Sequence, residues 1–466
     1  MWPVVVVIDT AGGRRIVGML AAMPQPPSAA SRDEPVIRDR GDACPGALRL
    51  HRADDGYLAR VRIPGGMLGA HAARMLADAA DRLGDGHIDL TSRGNAQLRG
   101  LGEACGGELA RVLADAGLLP APSHERVRNV VASPLTGLDR GGLPDVAPWV
   151  TELDRLLCAS EEAAALSGRF LFALDDGRCD VSRLDADVTL LARGPEHALL
   201  TTAGARGGLL LAAADAPRAA LVAARYFLDA AREAGTRSWR VAELPPEHAL
   251  DVSELADRLT DASIPATAIP GTSISPAADA SSADTPPGPA PEPGLVEGPG
   301  QSVALCVLAP LGRLTTAQWN LLAGLTGRLR LTPWRGIVVP GLTAPAAGDA
   351  LAALADAGLV TAPADPRRSV TACTGQPGCA RSHRDVRADA REVTARAPGP
   401  LPVHWSGCER RCGHPRGTAW VDVLATPDGY DLRAPGRAPH QGVHPSDLAA
   451  ALRDARRTTS HDAAKK

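Results

Sequence analysis

The chain has 466 residues, a formal net charge of −3 and 45% hydrophobic content. That length suggests about three domains with apolar material enough for cores, and the near-neutral charge excludes polyanion binding by bulk field. Nine cysteines, an odd number in no regular framework, fit a reducing cytoplasm better than a disulfide-stapled secreted domain. No apolar run approaches the ~20 residues of a membrane span. The cations are almost all arginine; lysine occurs only at Lys465 and Lys466.

Residues 1–41 read as a leader without fixed structure. Arg14-Arg15 before IVGMLAAM also allows a short export signal, and Met23 a later start. From residue 42 the pattern becomes regular. In GYLARVRIPGG, Tyr57, Ala59, Val61 and Ile63 alternate with Leu58, Arg60 and Arg62, which predicts a strand. Leu68, Ala72, Met75, Leu76, Ala79 and Leu83 then recur at helical spacing, with Gly84 as the stop. HIDLTSRGNAQLRGL follows as a second strand and brings the first unit to residue 124. A second unit, 125–262, opens on RVRNVVASPLTGLD. Residues 263–300 are rich in Pro, Ala, Ser and Gly, cannot repay the cost of ordering, and predict a linker. Two more units span 301–365 and 366–455, and 456–466 reads as a frayed tail.

The chain repeats itself. SVALCVLAP, LTTAQWNLLAGLTG and RLRLTPWRGIVVPGL restate the strand, helix, strand order of the first unit. LTSRGNAQLRGL (Leu90 to Leu101) lies over LTPWRGIVVPGL (Leu331 to Leu342) without a gap. RNVVASPLTGLD (Arg128 to Asp139) lies over RSVTACTGQPGC (Arg368 to Cys379), which sets Ser133 opposite Cys373 and Asp139 opposite Cys379. One thiol site per chain is therefore expected.

That site is Cys373, Cys379, Cys408 and Cys412, spaced C-x5-C, 28 residues, C-x3-C. Thiolates hold iron–sulfur clusters or zinc, and structural zinc prefers a gap of two to four residues within a pair. The spacing favours a cluster and leaves zinc, a disulfide or coincidence open. Cys44, Cys105, Cys158, Cys179 and Cys306 stand alone and read as small buried side chains, Cys44 as a loop residue.

The donors gather in the other half. Read as extended chain, LTSRGNAQLRGL sends Thr91, Arg93, Asn95, Gln97 and Arg99 to one face. With Arg60, Arg62 and Arg128 they predict a guanidinium-rich site suited to carboxylates. A solvated sheet face is the plain alternative; phosphate or nucleic acid is a poorer one, given the charge and 3% aromatics.

DGYLARVRIPGG, LTSRGNAQLRGL, RVRNVVASPLTG and CTGQPGC with SGCERRCG together resemble the nitrite/sulfite reductase superfamily, over most of residues 42–430 apart from the linker. The resemblance implies an α+β chain that is internally duplicated. Two ferredoxin-like half-domains (42–124 and 301–365) are each followed by an α/β nitrite/sulfite-reductase-type cluster-domain repeat (125–262, without cysteine ligands, and 366–455). It implies one 4Fe-4S cluster on Cys373, Cys379, Cys408 and Cys412. It also implies tetrapyrrole binding by Arg60, Arg62, Thr91, Arg93, Asn95, Gln97, Arg99, Arg128 and Arg169.

The superfamily has two branches. Sirohaem-dependent sulfite and nitrite reductases set two lysines, K-x-K, over the iron; here Arg169 and Leu171 take those positions, and no other lysine is at hand. RDRGDACPGAL, RVRNVVASPLTGLD and RFLFALDDG look like the other branch, the precorrin-3B synthases. For that branch the resemblance implies precorrin-3A and O2 as partners. It also implies hydroxylation at C-20 with lactone formation, and an electron donor such as NADH through a reductase or ferredoxin. A mononuclear non-haem iron is implied too, although no two-His-one-carboxylate set is legible. His404 and His414 read as structural. Neither nucleic acid nor membrane is expected as a partner, and the expected compartment is the cytoplasm. Sirohaem-dependent sulfite or nitrite reduction stands as the alternative.

Overall fold

The computed structural model describes residues 44–271, 290–415 and 419–457. The 1–41 leader lies outside the described residues, as do the middle of the linker and most of the tail.

The first half-domain carries β1 (His51–Ala53), β2 (Gly56–Val61), β3 (Met67–Gly69), α1 (Ala70–Leu83), β4 (His87–Leu90), β5 (Ala96–Leu101) and α2 (Gly106–Asp115). The first repeat domain follows with β6 (Val130–Ala132), α3 (Ala147–Ala159), β7 (Phe172–Asp175), β8 (Val188–Arg193), β9 (His197–Thr202), β10 (Gly207–Ala212), α4 (Ala216–Glu233), α5 (Val252–Asp261) and β11 (Ala266–Pro270). The second half-domain has β12 (Gly294–Glu297), β13 (Ser302–Leu308), β14 (Arg313–Thr315), α6 (Thr316–Thr326), β15 (Arg328–Leu331), β16 (Gly336–Thr343) and α7 (Ala344–Asp356). The second repeat domain closes the chain with β17 (Val370–Ala372), α8 (Val386–Thr394), β18 (Val403–Ser406), β19 (Val421–Thr426), β20 (Gly429–Arg433), β21 (His440–Val443) and α9 (Leu448–Ala455).

The half-domains exchange a strand. One sheet runs β1-β2-β5-β4-β14 and the other β12-β13-β16-β15-β3, so each is completed by three residues of the opposite half. Leu314 pairs with Ile88, and Leu68 with Leu329, both antiparallel. Each exchanged strand follows a short 3-10 turn with positive φ, at Gly65 and Gly66 in one half and at Leu311 and Gly312 in the other. Gly66 is required there: a Cβ would sit 1.9 Å from the Leu331 carbonyl oxygen. Helices α1 and α6 pack against each other, and the buried Trp319 Nε1 donates to the Ala73 carbonyl at 2.9 Å. One apolar core, from Ala59 and Leu76 to Trp319 and Val339, runs through both halves.

The repeat domains share a topology. β6, β7 and β8 are parallel and β9 turns back; β17, β18 and β19 are parallel and β20 turns back. Each has its own core, around Phe170, Phe172 and Phe227 in the first and around Trp405 and Tyr430 in the second.

Four sequence expectations change. Thr91 to Asn95 is not extended. The Thr91 amide bonds the Asn95 carbonyl at 2.9 Å, Gly94 has φ 64°, and the strand begins at Ala96, because the chain must turn between β4 and β5. The stretch read as a linker begins and ends in strands, β11 and β12; both are sheet edges, which need few apolar residues and tolerate Pro270. Arg456 does not belong to a frayed tail. It is buried and donates to Ala397, Gly399 and Leu401 carbonyls and to Ser369 Oγ. Of the lone cysteines, Cys306 is buried, whereas Cys44, Cys105, Cys158 and Cys179 are half-exposed.

Candidate functional site

The four cysteines sit on two loops at the same end of the second repeat's parallel strands. β17 runs directly into Cys373, and β18 through Ser406 and Gly407 into Cys408. The Gly407 amide donates to Cys373 Sγ at 3.1 Å, and the Cys373 amide to the Trp405 carbonyl at 2.9 Å. Gly407 has to be glycine, since a Cβ would meet Ser382 Oγ at 1.9 Å. Burial pushes the Cys373 thiol up, and the nearby Cys412 and Cys408 push the same way. A thiolate there therefore needs a cationic core beside it. Among the described residues no three His, Cys, Asp or Glu side chains lie close enough for a single ion. A bare zinc would draw its thiolates into one shell of about 2.3 Å. A cluster holds each thiolate on its own corner, and the amide-to-sulfur bond is the kind of contact that steadies one. The Gly407 amide on Cys373 Sγ is a contact that such a group could use.

The first repeat keeps this scaffold without the thiols. The Ser133 amide bonds the Leu174 carbonyl, and the Asp176 amide donates to Ser133 Oγ at 3.2 Å, repeating both bonds of Cys373. An ion-pair network fills the loops: Arg178 reaches Asp176 and Asp139, each at 2.7 Å, and Ser133 Oγ bonds Asp180 at 2.6 Å.

Three contacts fasten the cysteine loop to the first half-domain. Arg99 donates to the Gly378 carbonyl at 3.0 Å while holding Asp55 with two bonds of 2.8 Å. The Ala380 amide bonds Asp54 at 2.6 Å. Arg387 joins the Cys373 carbonyl to Asp89. His404 is buried behind the site: Nε2 faces the Cys412 carbonyl at 3.2 Å, so it carries the proton, and Nδ1 accepts from Thr371 Oγ1 at 2.8 Å. Burial, then Arg335, hold its pKa down at about 4.

The donor row starts at Arg99 and runs away from this loop. Two residues back along β5, ~7 Å away, Gln97 Oε1 accepts from Arg60 at 3.2 Å. Next comes Arg93, whose Nη1 bonds the Gly168 carbonyl at 3.2 Å. Burial lowers the pKa of Arg60, and that of Arg93 to about 10, where Arg240 and Arg60 add repulsion. Neither makes an ion pair among the described residues. Arg62 donates to the Arg126 and Gly168 carbonyls, and Arg169 stacks on Trp239 with its guanidinium carbon 4.5 Å from the ring centre.

The other expected donors are turned to different work. Thr91 Oγ1 accepts from the Asn95 amide within the turn. Asn95 accepts from the Ile63 amide and donates to Asn129. Arg128 is held by Asp154 at 2.6 and 2.7 Å and by the Leu118 carbonyl. Three neighbours were not legible in the sequence. Cys44 lies within electrostatic reach of Arg60 and Arg93. Trp239 supplies the stack, and Arg240 bonds Asp187 at 2.5 Å, which also accepts from the Leu171 and Val241 amides. No motif marks Trp239 or Arg240, and Cys44, although within RDRGDACPGAL, reads there only as a loop residue. Leu171, at the second lysine position of the reductases, is 3% exposed in an apolar cluster with Val131 and Val181.

Comparison with known proteins agrees with this architecture. The Nitrite/Sulfite reductase ferredoxin-like half domain matches twice, at residues 49–115 and 297–357. A precorrin-3B synthase from Sinorhizobium sp is 30% identical over 417 residues, covering 86% of this chain and 84% of its own. The chain belongs to the nitrite/sulfite reductase superfamily. Within it, a ferredoxin–nitrite reductase of Synechococcus elongatus is 28% identical over 77% of this chain and 74% of the reductase. The fold is that of the solved Mycobacterium tuberculosis NirA protein, with a TM-score of 0.60 and 19% identity over 84% of this chain and 79% of that one. No helix among the described residues is long and apolar enough to cross a membrane.

Proposed function

We propose that this superfamily member is a precorrin-3B synthase, an oxidoreductase that hydroxylates precorrin-3A at C-20 with lactone formation. One oxygen atom of O2 enters the product. The other leaves as water, with two protons and two electrons from a donor such as NADH through a reductase or ferredoxin. The observation that carries the reading is the pair Arg60 and Arg93, two half-buried, partly desolvated guanidiniums that make no ion pair among the described residues. Desolvated cations of this kind are receptors for carboxylates, and a precorrin is ringed with them. Of the matches described above, the one that covers most of this chain, to a precorrin-3B synthase, supports the same reading.

In this reading Arg60 and Arg93 hold peripheral carboxylates, Gln97 fixes Arg60, Arg169 lines the approach, and the buried Arg62 braces the Gly168 segment from beneath. Arg99 is a positioning residue that keeps the cysteine loop at the end of the row. Cys373, Cys379, Cys408 and Cys412 would hold a 4Fe-4S cluster, which supplies electrons one at a time when bound. The mononuclear iron has no matching ligand set among the described residues, so no step is assigned to it.

The alternative, a sirohaem oxyanion reductase, needs a cation where buried, apolar Leu171 stands. The test is anaerobic purification, then addition of precorrin-3A, a reductant and 18O2. Product carrying one 18O atom supports the synthase. Stoichiometric sirohaem in the purified protein, with nitrite or sulfite turnover and no precorrin oxidation, refutes it.

A further inference from the structure

Arg335 is out of place in two respects. Its φ is 61°, the left-handed region that its counterpart in the first half, Gly94, enters at 64° without cost. Its side chain then runs inward. The stem lies over Gly312, where a Cβ would meet Arg335 Cδ at 2.5 Å, and Nη2 sits 3.5 Å from where a Cβ of Gly413 would be. The guanidinium is therefore pressed against the turn that follows Cys412, beside His404.

The charge is not balanced there. Nη1 is buried without a hydrogen-bond acceptor, and no carboxylate pairs with Arg335 among the described residues. Asp89, which attracts Arg335, is already bonded to Arg387 and lies beside Arg313. His404 stays neutral. A half-buried cation with a buried, unpaired Nη1 on a strained backbone is costly, and such a feature persists where a function requires it. The one concentration of negative charge that the site is built to hold is a cluster with four thiolates.

We propose that Arg335 is the fixed counter-cation of the group held by Cys373, Cys379, Cys408 and Cys412, and that it raises that group's reduction potential. The inference rests on the cluster reading above. A guanidinium beside the cluster stabilises the reduced form, which carries one more negative charge, over the oxidised form. Arginine serves better than lysine because its charge is permanent and it is weakly hydrated.

The test is a potentiometric titration of the full chain, reconstituted anaerobically with iron and sulfide, without tetrapyrrole. Wild type, Arg335→Gln and Arg335→Lys are compared by EPR and absorbance. The expected result is equal iron and sulfide in all three. At the wild-type midpoint, the reduced-to-oxidised ratio of Arg335→Gln falls at least tenfold, a shift of 59 mV for a one-electron couple. Arg335→Lys stays nearer wild type, and it decides the matter should the glutamine variant not load. Loaded variants with unmoved midpoints overturn the inference and leave the cluster reading standing; a shift that appears only with tetrapyrrole bound overturns it too, since Arg335 would then serve the substrate. A wild-type chain that takes up no iron and sulfide removes both.

Discussion

Arg93→Met separates binding from folding. Burial holds Arg93 at a pKa of about 10 instead of 12.5. At about 1.4 kcal/mol per unit, carrying the charge costs the ligand-free fold about 3 kcal/mol at neutral pH. The bond from Nη1 to Gly168 returns about 1 kcal/mol. Methionine keeps the stem and discards the charge, so the variant should be more stable by about 2 kcal/mol. Binding moves the other way: a charge-assisted bond to a carboxylate is worth about 1.5–3 kcal/mol, a loss of roughly 10- to 150-fold in affinity. Stability is read by urea unfolding of the ligand-free chain. Affinity is read by fluorescence quenching of uroporphyrin, a stable tetrapyrrole rich in carboxylates. A variant that unfolds more easily yet binds uroporphyrin as before would refute the reasoning and make Arg93 a strut for the Gly168 segment.

Cys408→Ser should lose the visible absorbance and most of the iron of the reconstituted protein while keeping uroporphyrin affinity; metal analysis beside the binding titration checks this. Asp180, buried in the first repeat, has its pKa raised by burial from 3.8 to about 7. Its protonated form is favoured by folding, so the associated stability is present below the unfolded value and is lost as pH rises towards 7. Asp180→Asn removes that loss, and its stability advantage over wild type should widen by about 2–3 kcal/mol between pH 5 and pH 8 in urea titrations. Arg456→Met strands three backbone carbonyls and a hydroxyl in the second repeat. It should cost at least about 2 kcal/mol in the unfolding of that repeat, followed by Trp405 fluorescence.

The duplication was legible because both halves keep the same order of periods. Leu90 to Leu101 and Leu331 to Leu342 even share their turn, with Thr91 and Thr332 each bonding a carbonyl four residues on at 2.9 Å. The pairing of Ser133 with Cys373 was legible for the same reason, and both residues occupy one set of backbone bonds. The donor row was legible only in part. Alternation assigns faces only while the chain stays extended, and Gly94 ends that at the turn. Which arginines are neutralised was not legible either, because Asp154 and Asp55 meet Arg128 and Arg99 across long separations in sequence. The exchange of β3 and β14 left no trace in the pattern: three residues are too few to establish a period.

That exchange has a consequence for how the chain can be cut. Two identical copies of one half, each lending an arm to the other across a dyad through α1 and α6, would make a closed dimer. This chain has the architecture of such a dimer within one polypeptide, with the thiols in one half and most of the site's guanidiniums in the other. Severed within residues 272–289, between β11 and β12, the two pieces should still find each other. Alone, either piece would expose an unfilled sheet edge and half of a shared core.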